Sequence, residues 1–347
     1  MYIPQYSIND KILAQVVEIE KLSAIWKVKI PAYSLKTKFE NQSKATNLFF
    51  LAHMLGNDIT MHDAEKLLSG RDLGLASDVS LLLTNFRNVL EFNHSNVADS
   101  YANVDASLLI HLNKIILMNI KDTWEVKFRT SLEELDKTHD DWYEYRDVGI
   151  APTSIQEELR GLLDWYRAGT NKVNHLVRSI LFVNRLREIM PFSSHNKLTI
   201  LAAYDLVLGR FHYTDILPVG ALRVFATHSE DLKEIWKVSN ASKDLSLLLE
   251  KFLNWLLEDV TAAHTEADRQ VGEETKTNSQ PFLDLNKRQL KILRYLQTIP
   301  TVKREDYCQM LDVSTMTAYR DLNDLVIKKL LKLEGQGRGT KYMLASR

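Results

Sequence analysis

Apolar side chains recur every three or four positions through most of the first 270 residues, and this period is that of amphipathic helices. Residues 9–26 place Ile12, Val16, Ile19 and Leu22 at such spacings, with Lys and Glu between them. Segments 80–93, 106–120, 155–166, 173–190, 197–209 and 243–262 repeat the pattern. In 173–190 the stripe is broad, running from Val173 and Leu176 to Ile189 and Met190. Such breadth predicts a helix in the middle of a bundle rather than on its surface. Only 12 Gly and 7 Pro occur among 347 residues, about half the average usage. That scarcity excludes collagen-like, disordered and turn-rich all-β chains, so the fold class is mainly α.

Two stretches break the helical habit. Residues 124–152 mix aromatic and β-branched side chains with polar turns, which predicts a small β-hairpin or an irregular flap. Residues 272–281, GEETKTNSQP, are polar and closed by Pro281, and read as a linker. The charge balance changes sign there. Residues 285–347 carry 13 Lys or Arg against 6 Asp or Glu, net +7, and the first 284 residues hold −8 of a total of −1. A basic module behind an acidic body implies a polyanionic partner for the module.

The C-terminal pattern is compact. NKRQLKILRYLQ forms an amphipathic helix with Leu290, Leu293 and Leu296 on its apolar side, and VKREDYCQMLD a second with Val302, Tyr307, Cys308 and Leu311 inward. Ser314 caps a third helix, STMTAYRDLNDLVIKKLL, by accepting a free backbone N–H. LLKLE, GQGRG and TKYML then read as a hairpin with Arg338 at its tip. Three helices and a basic hairpin make a winged helix-turn-helix, whose third helix enters the DNA major groove with its N-terminal residues leading. Ser314, Thr315, Thr317 and Arg320 are the expected DNA-facing residues, and Arg338 and Lys341 on the wing suit phosphates. VSTMTAYRDLNDL resembles the recognition-helix pattern of DeoR-like winged-helix regulators. Reuse of the module for dimerisation or protein docking is the competing reading.

The most informative segment is LREIMPFSSHNKLTILAAYDLVL (186–208), where a buried helix ends, Pro191-Phe192 opens a short loop, and a new helix begins near Asn196 and Lys197. A loop feeding a helix N-terminus is a natural anion site. The segment resembles the signature of Fic-domain (Fic/Doc) proteins, H-x-F-x-[D/E]-G-N-[G/K]-R after an I-H-P-F turn, with Ile189-Met190-Pro191-Phe192 in that place. GNDITMHDAEKLLSG (56–70), Asn85, Phe128-Arg129, LLDWY (162–166) and the helix of Trp255 also match the family's pattern. The resemblance implies a Fic-type helical bundle with a flap. It divides the chain into an N-terminal helical region (1–75), a core (76–271) with its motif at 190–198, a linker (272–284) and the winged helix (285–347).

Fic-domain proteins typically transfer AMP from ATP to a protein hydroxyl, with the first signature His as base. The corresponding residue here is Met190, whose thioether exchanges no proton near pH 7. Ser194 replaces the acidic Mg²⁺ ligand, a poor donor for a hard cation. His195 replaces the first Gly of the anion loop, and Leu198 the Arg that pairs with distal phosphates. Pro191, Phe192, Asn196 and Lys197 are kept: Phe192 as a core anchor, Asn196 as a cap or brace of the turn. Asn196 and Lys197 remain the weak nucleotide candidates, and His195 reads as a capping or surface residue. The family's inhibitory Ser/Thr and Glu correspond to Leu51 and Leu55, and the second Arg that the Glu would pair with to Leu201, so that lock is absent too.

The expectation is a catalytically degenerate Fic-domain protein with a DNA-binding winged helix, a transcriptional regulator or signalling protein. An adenylyltransferase with an unorthodox site and an interaction scaffold are the alternatives. No cofactor is expected, with ATP and Mg²⁺ required only if transfer activity survives. DNA is the expected partner, a nucleotide or small anion a weak ligand, and a homodimer the expected assembly. The nine other His show no metal-ligand spacing, and no Walker loop, G-x-S-x-G elbow or G-x-G-x-x-G turn occurs. Cys308, the one cysteine, excludes an intrachain disulfide and reads as a packed thiol. MYIPQYSINDK lacks the basic-then-apolar pattern of a secretion signal and LFFLAHML (48–55) is too short to span a bilayer, so no membrane contact and a cytoplasmic location are expected.

Overall fold

A computed structural model describes residues 2–29, 33–97, 104–122, 125–131, 135, 142, 144, 154–168, 172–211, 213, 220–277, 285–299, 301–328, 330–335 and 340–345. The chain forms two compact units, Met1–Ala267 and Asp268–Arg347.

The first unit holds α1 (Asp10–Lys29), α2 (Tyr33–Met54), α3 (Met61–Leu68), α4 (Ser77–Val97), α5 (Ala106–Ile116), α6 (Ile155–Ala168), α7 (His175–Ile189), α8 (Asn196–Gly209), α9 (Arg223–Thr227) and α10 (Ser229–Ser242), and most of α11 (Ser246–Thr277). At its centre lie α7 and α8. Residues 176–189 are all buried except Arg185, and residues 196–209 all except Lys197. The broad stripe in 173–190 therefore marks a central helix, as its breadth requires. It starts where Asn174 Oδ1 accepts the Leu176 N–H at 2.9 Å. The second central helix packs against α4, α5 and α7.

A polar tie runs through this core. Asn93 Nδ2 donates to Asp205 Oδ2 at 2.8 Å and to the Ala202 carbonyl at 3.0 Å, so α4 is pinned to α8. Asn47 Oδ1 accepts the Leu222 N–H at 2.9 Å. Gly220 sits directly over that amide with φ +82°, where a Cβ would fall 2.8 Å from Asn47 Oδ1; this approach requires glycine. Burial pushes the Asp205 carboxyl up to about 6 against the Asn93 hydrogen bond.

Among the described residues of 124–152 there is no paired strand; most of that stretch, and with it most of the expected hairpin, lies outside the described residues. What is present is a single antiparallel bridge from Phe128 to Phe192. The aromatic side chain of Trp142 serves packing: it lies edge-on to Trp236 at 5.1 Å.

In the second unit α12 (Lys287–Thr298), α13 (Arg304–Leu311) and α14 (Thr315–Ile327) precede an antiparallel pair, β1 (Leu331–Glu334) and β2 (Lys341–Leu344). Val302 adds one short antiparallel bridge to Tyr342. The core consists of Ile292, Leu296, Val302, Tyr307, Ala318, Leu322, Leu325, Leu331 and Tyr342, with Leu293, Cys308 and Leu311 packed on it. Leu290 is exposed, contrary to expectation; Gln289, bonded to the Asp321 carbonyl and the Asp324 carboxylate, and Ile292, in the core, face inward instead. The third helix stops at Ile327, short of the expected 331, because Leu331 is taken into the sheet. The helix α11 continues through Thr277, into the stretch that reads as a linker from sequence.

Candidate functional site

The loop between α7 and α8 is built from backbone turns that side chains hold shut. Met190 ends α7 in the left-handed region (φ 43°, ψ 70°), and its N–H still donates to the Leu186 carbonyl at 3.0 Å. A left-handed residue followed by Pro191 reverses the chain, because proline cannot continue the helix. Arg129, 2% exposed, fills the space under this turn. Its Nε donates to the Met190 carbonyl at 2.7 Å and its Nη2 to the Ile189 carbonyl at 3.1 Å. Its backbone N–H donates to the Pro191 carbonyl at 2.9 Å. One planar guanidinium thus satisfies orphan carbonyls at the end of a buried helix.

Asn196 closes the other side. Its Oδ1 accepts the Phe192 N–H at 2.8 Å, and its Nδ2 donates back to the Phe192 carbonyl at 2.9 Å. Its reading as the brace of the turn agrees with this geometry. Phe192 is 1% exposed and packs its ring 5.2 Å from that of Phe128. Asn113 Nδ2 donates to Thr199 Oγ1 at 2.8 Å. The Lys121 ammonium donates to Ser194 Oγ at 3.3 Å. His195 is neither a surface residue nor a side-chain cap: it is buried, left-handed at φ 57°, and makes no capping bond. Met190, Ser194 and Leu198 are buried as well, and Lys197 is half-buried with Nζ 5.6 Å from the centre of the Trp142 ring. Leu51 is buried in α2, and Leu55 is half-buried just past its end. Asn85 donates to the carbonyls of Ile116 and Met118, closing the end of α5.

Sequence reasoning missed Arg129, Lys121 and Asn113 as the loop's supports. Asn113 carried a readable signal, since it lies on the apolar side of 106–120, and a buried amide needs partners. Among the described residues no group of three or more His, Cys, Asp or Glu is placed to hold a metal.

In the winged unit the turn before α14 is Asp312-Val313-Ser314. Asp312 is left-handed at φ 49°, and Ser314 Oγ accepts the Thr317 N–H at 3.2 Å. Thr317 is half-buried, with its hydroxyl 3.0 Å from Ser314 Oγ. Thr315, Met316, Tyr319 and Arg320 are exposed, Met316 by 61%. Met316 and Tyr319 were not expected on this face. Ala318, Leu322 and Leu325 pack in the core, which leaves Met316 and Tyr319 on the opposite face, while the cap turns Thr317 back toward Ser314. On the wing, Lys341 is exposed at the start of β2, opposite Glu334. Arg338 lies outside the described residues.

Beneath this face, Asp321 is a hub. It accepts from Arg288 Nε at 2.7 Å, from Asn286 Nδ2 at 2.8 Å and from the Tyr307 hydroxyl at 2.9 Å. All three helices of the unit meet on one carboxylate.

Residues 288–335 match the family model of the DeoR-like helix-turn-helix domain. A Fic family protein from Desulfovibrio desulfuricans G20 is similar in structure over 100% of this chain and 99% of its own, with a TM-score of 0.56 and 16% identity. A Fic domain containing signaling protein from Bacteroides thetaiotaomicron VPI-5482 is similar over 74% of this chain and 98% of its own, with a TM-score of 0.58 and 19% identity. Fic-1 from C. elegans is similar over 76% and 73%, with a TM-score of 0.52 and 15% identity. No curated protein sequence matches. The chain has the Fic fold and a C-terminal helix-turn-helix, and no helix among the described residues is long and apolar enough to cross a membrane.

Proposed function

We propose that this chain is a DNA-binding regulator whose Fic-fold body has lost AMP transfer. The observation that carries the DNA reading is the capped start of α14, which holds Thr315, Met316, Tyr319 and Arg320 outward. Leading residues of such a helix reach base edges in the major groove, and the match to a DeoR-like helix-turn-helix supports this use. The net charge of +7 over 285–347 supplies the non-specific part of the affinity.

Three features support loss of transfer chemistry in the body. The residue in the base position is a buried thioether, Met190. The Lys121 ammonium rests on Ser194, where the resemblance would put a Mg²⁺ ligand, and a second cation there would be repelled. The Asn196 amide is spent on both polar groups of the Phe192 backbone. ATP with Mg²⁺ does not fit this residue set.

Fluorescence anisotropy of the full chain against labelled genomic fragments tests the DNA reading. Binding is expected at low salt, with log affinity falling linearly in log salt at about −0.9 per phosphate contacted. Arg320→Ala is expected to weaken the preferred sequence about tenfold or more. No binding at any salt would refute the DNA reading. Incubation with Mg²⁺ and ATP labelled at the α-phosphate tests the body. No label is expected on protein, either with the native chain or with Met190→His alone, because Ser194 and Leu198 still lack the charges that the chemistry needs. Label transfer that disappears in Met190→Ala or His195→Ala would establish a transferase instead.

A further inference from the structure

The outward face of α14 combines charge with apolar surface. Met316 is 61% exposed and Tyr319 44%, beside the exposed Thr315 and Arg320. Met316, Tyr319 and Arg320 stand at i, i+3 and i+4, so they share one side of the helix near its capped start. A thioether donates no hydrogen bond and accepts only weakly, so Met316 is unsuited to the hydrogen-bonding edge of a base. Its use on this face is to cover apolar surface. In the major groove the base pairs differ in donors and acceptors, and the apolar group among them is the thymine C5 methyl.

Arg304 fixes the second apolar side chain. It is the first residue of α13, and its guanidinium lies over the Tyr319 ring, 5.0 Å from the ring centre. This cation–π contact restricts a ring that would otherwise turn freely on an exposed helix. The net charge of +7 over 285–347 matches the face to a polyanion rather than to an apolar protein groove.

We propose that Met316 and Tyr319 read thymine methyl groups, so that the preferred duplex carries T·A pairs under the start of α14. Side chains at i and i+3 lie about 5–6 Å apart, against about 3.4 Å between stacked base pairs. The two methyls therefore belong to base pairs one or two steps apart. Arg304 is a positioning residue, acting through the Tyr319 ring. The proposal rests on the DNA-binding role and adds which bases are read.

The test selects the preferred site of the full chain from a random duplex library, then replaces each thymine in turn by deoxyuridine. That exchange deletes the methyl and keeps the base pairing. At two positions close together it is expected to weaken binding about fourfold each, as for one buried methyl group. Met316→Ala is expected to abolish the sensitivity at one position and Tyr319→Ala at the other, with circular dichroism unchanged because both side chains are exposed. Arg304→Gln is expected to reduce the effect at the Tyr319 position alone, and Arg304→Lys to restore it. A general loss of phosphate affinity or of stability would not be confined to one base. Binding without sequence preference, or a preferred site insensitive to deoxyuridine throughout, would overturn the proposal and leave DNA binding standing. So would sensitivity that persists unchanged in Met316→Ala and Tyr319→Ala. No binding to any duplex at low salt would overturn both.

Discussion

Asp321→Ala is expected to unfold the winged helix and leave the body intact. The side chain is 8% exposed and receives Arg288, Asn286 and Tyr307 together. Removing it strips the acceptor from the buried Tyr307 hydroxyl and unties α12 from α14, a loss of about 3–5 kcal/mol. A unit of this size has little stability to spare. The two units can be followed separately because all six tryptophans, Trp26, Trp124, Trp142, Trp165, Trp236 and Trp255, lie in the first. Tryptophan fluorescence melting should be unchanged, while far-UV circular dichroism shows helix missing at 25 °C. An unchanged dichroism spectrum and melt would refute the hub. Acid should act like the substitution. Burial raises the Asp321 carboxyl, but hydrogen bonds from Arg288, Asn286 and Tyr307 outweigh it and hold it below the usual carboxylate range. A lowered value stabilises above the unfolded carboxylate value of about 3.9, and the contribution is lost as pH falls through the folded value.

Arg129→Ala is expected to be the corresponding lesion in the body. It removes two side-chain bonds to the carbonyls of Ile189 and Met190 and one to Ser131, and opens a cavity under a buried turn. Hydrogen bonds from a charged donor and the lost volume together give about 3–5 kcal/mol. Tryptophan fluorescence should report a Tm lowered by roughly 10 °C. Arg129→Lys should recover only part of it, since an ammonium cannot reproduce the guanidinium fork. A Tm within a degree of the native value for Arg129→Ala would show that the turn holds without its clamp.

Periodicity identified the central helices because burial on all sides leaves a broad apolar stripe that no surface helix shows, as in 173–190. The same logic failed for Leu290. An amphipathic 12-residue helix admits more than one apolar face, and packing against the rest of the unit, with Gln289 bonded to the Asp321 carbonyl and the Asp324 carboxylate, selects the one containing Ile292 and Leu296. The loop at 190–198 was legible as a turn between two buried helices, and Asn196 as a residue that could brace it, because the chemistry of those residue types is local. Its supports were not: Lys121 lies 73 positions from Ser194 and Arg129 lies 61 from Met190, and no spacing rule spans such distances. The Asp of the R-D-L run reads from sequence as part of a DNA-reading pattern, yet Asp321 faces inward while Arg320 faces out.

By itself, then, the sequence determined helix content, a basic module behind an acidic body, and that positions 190, 194 and 198 carry Met, Ser and Leu. These are properties of residue type and period, and they survive any arrangement of the chain. Tertiary structure alone decided that an ammonium rests on Ser194, that Met316 and Tyr319 replace Thr317 on the outer face, and that one carboxylate ties three helices. Those outcomes depend on which distant side chain satisfies a buried polar group, and that choice is made only when the chain has packed.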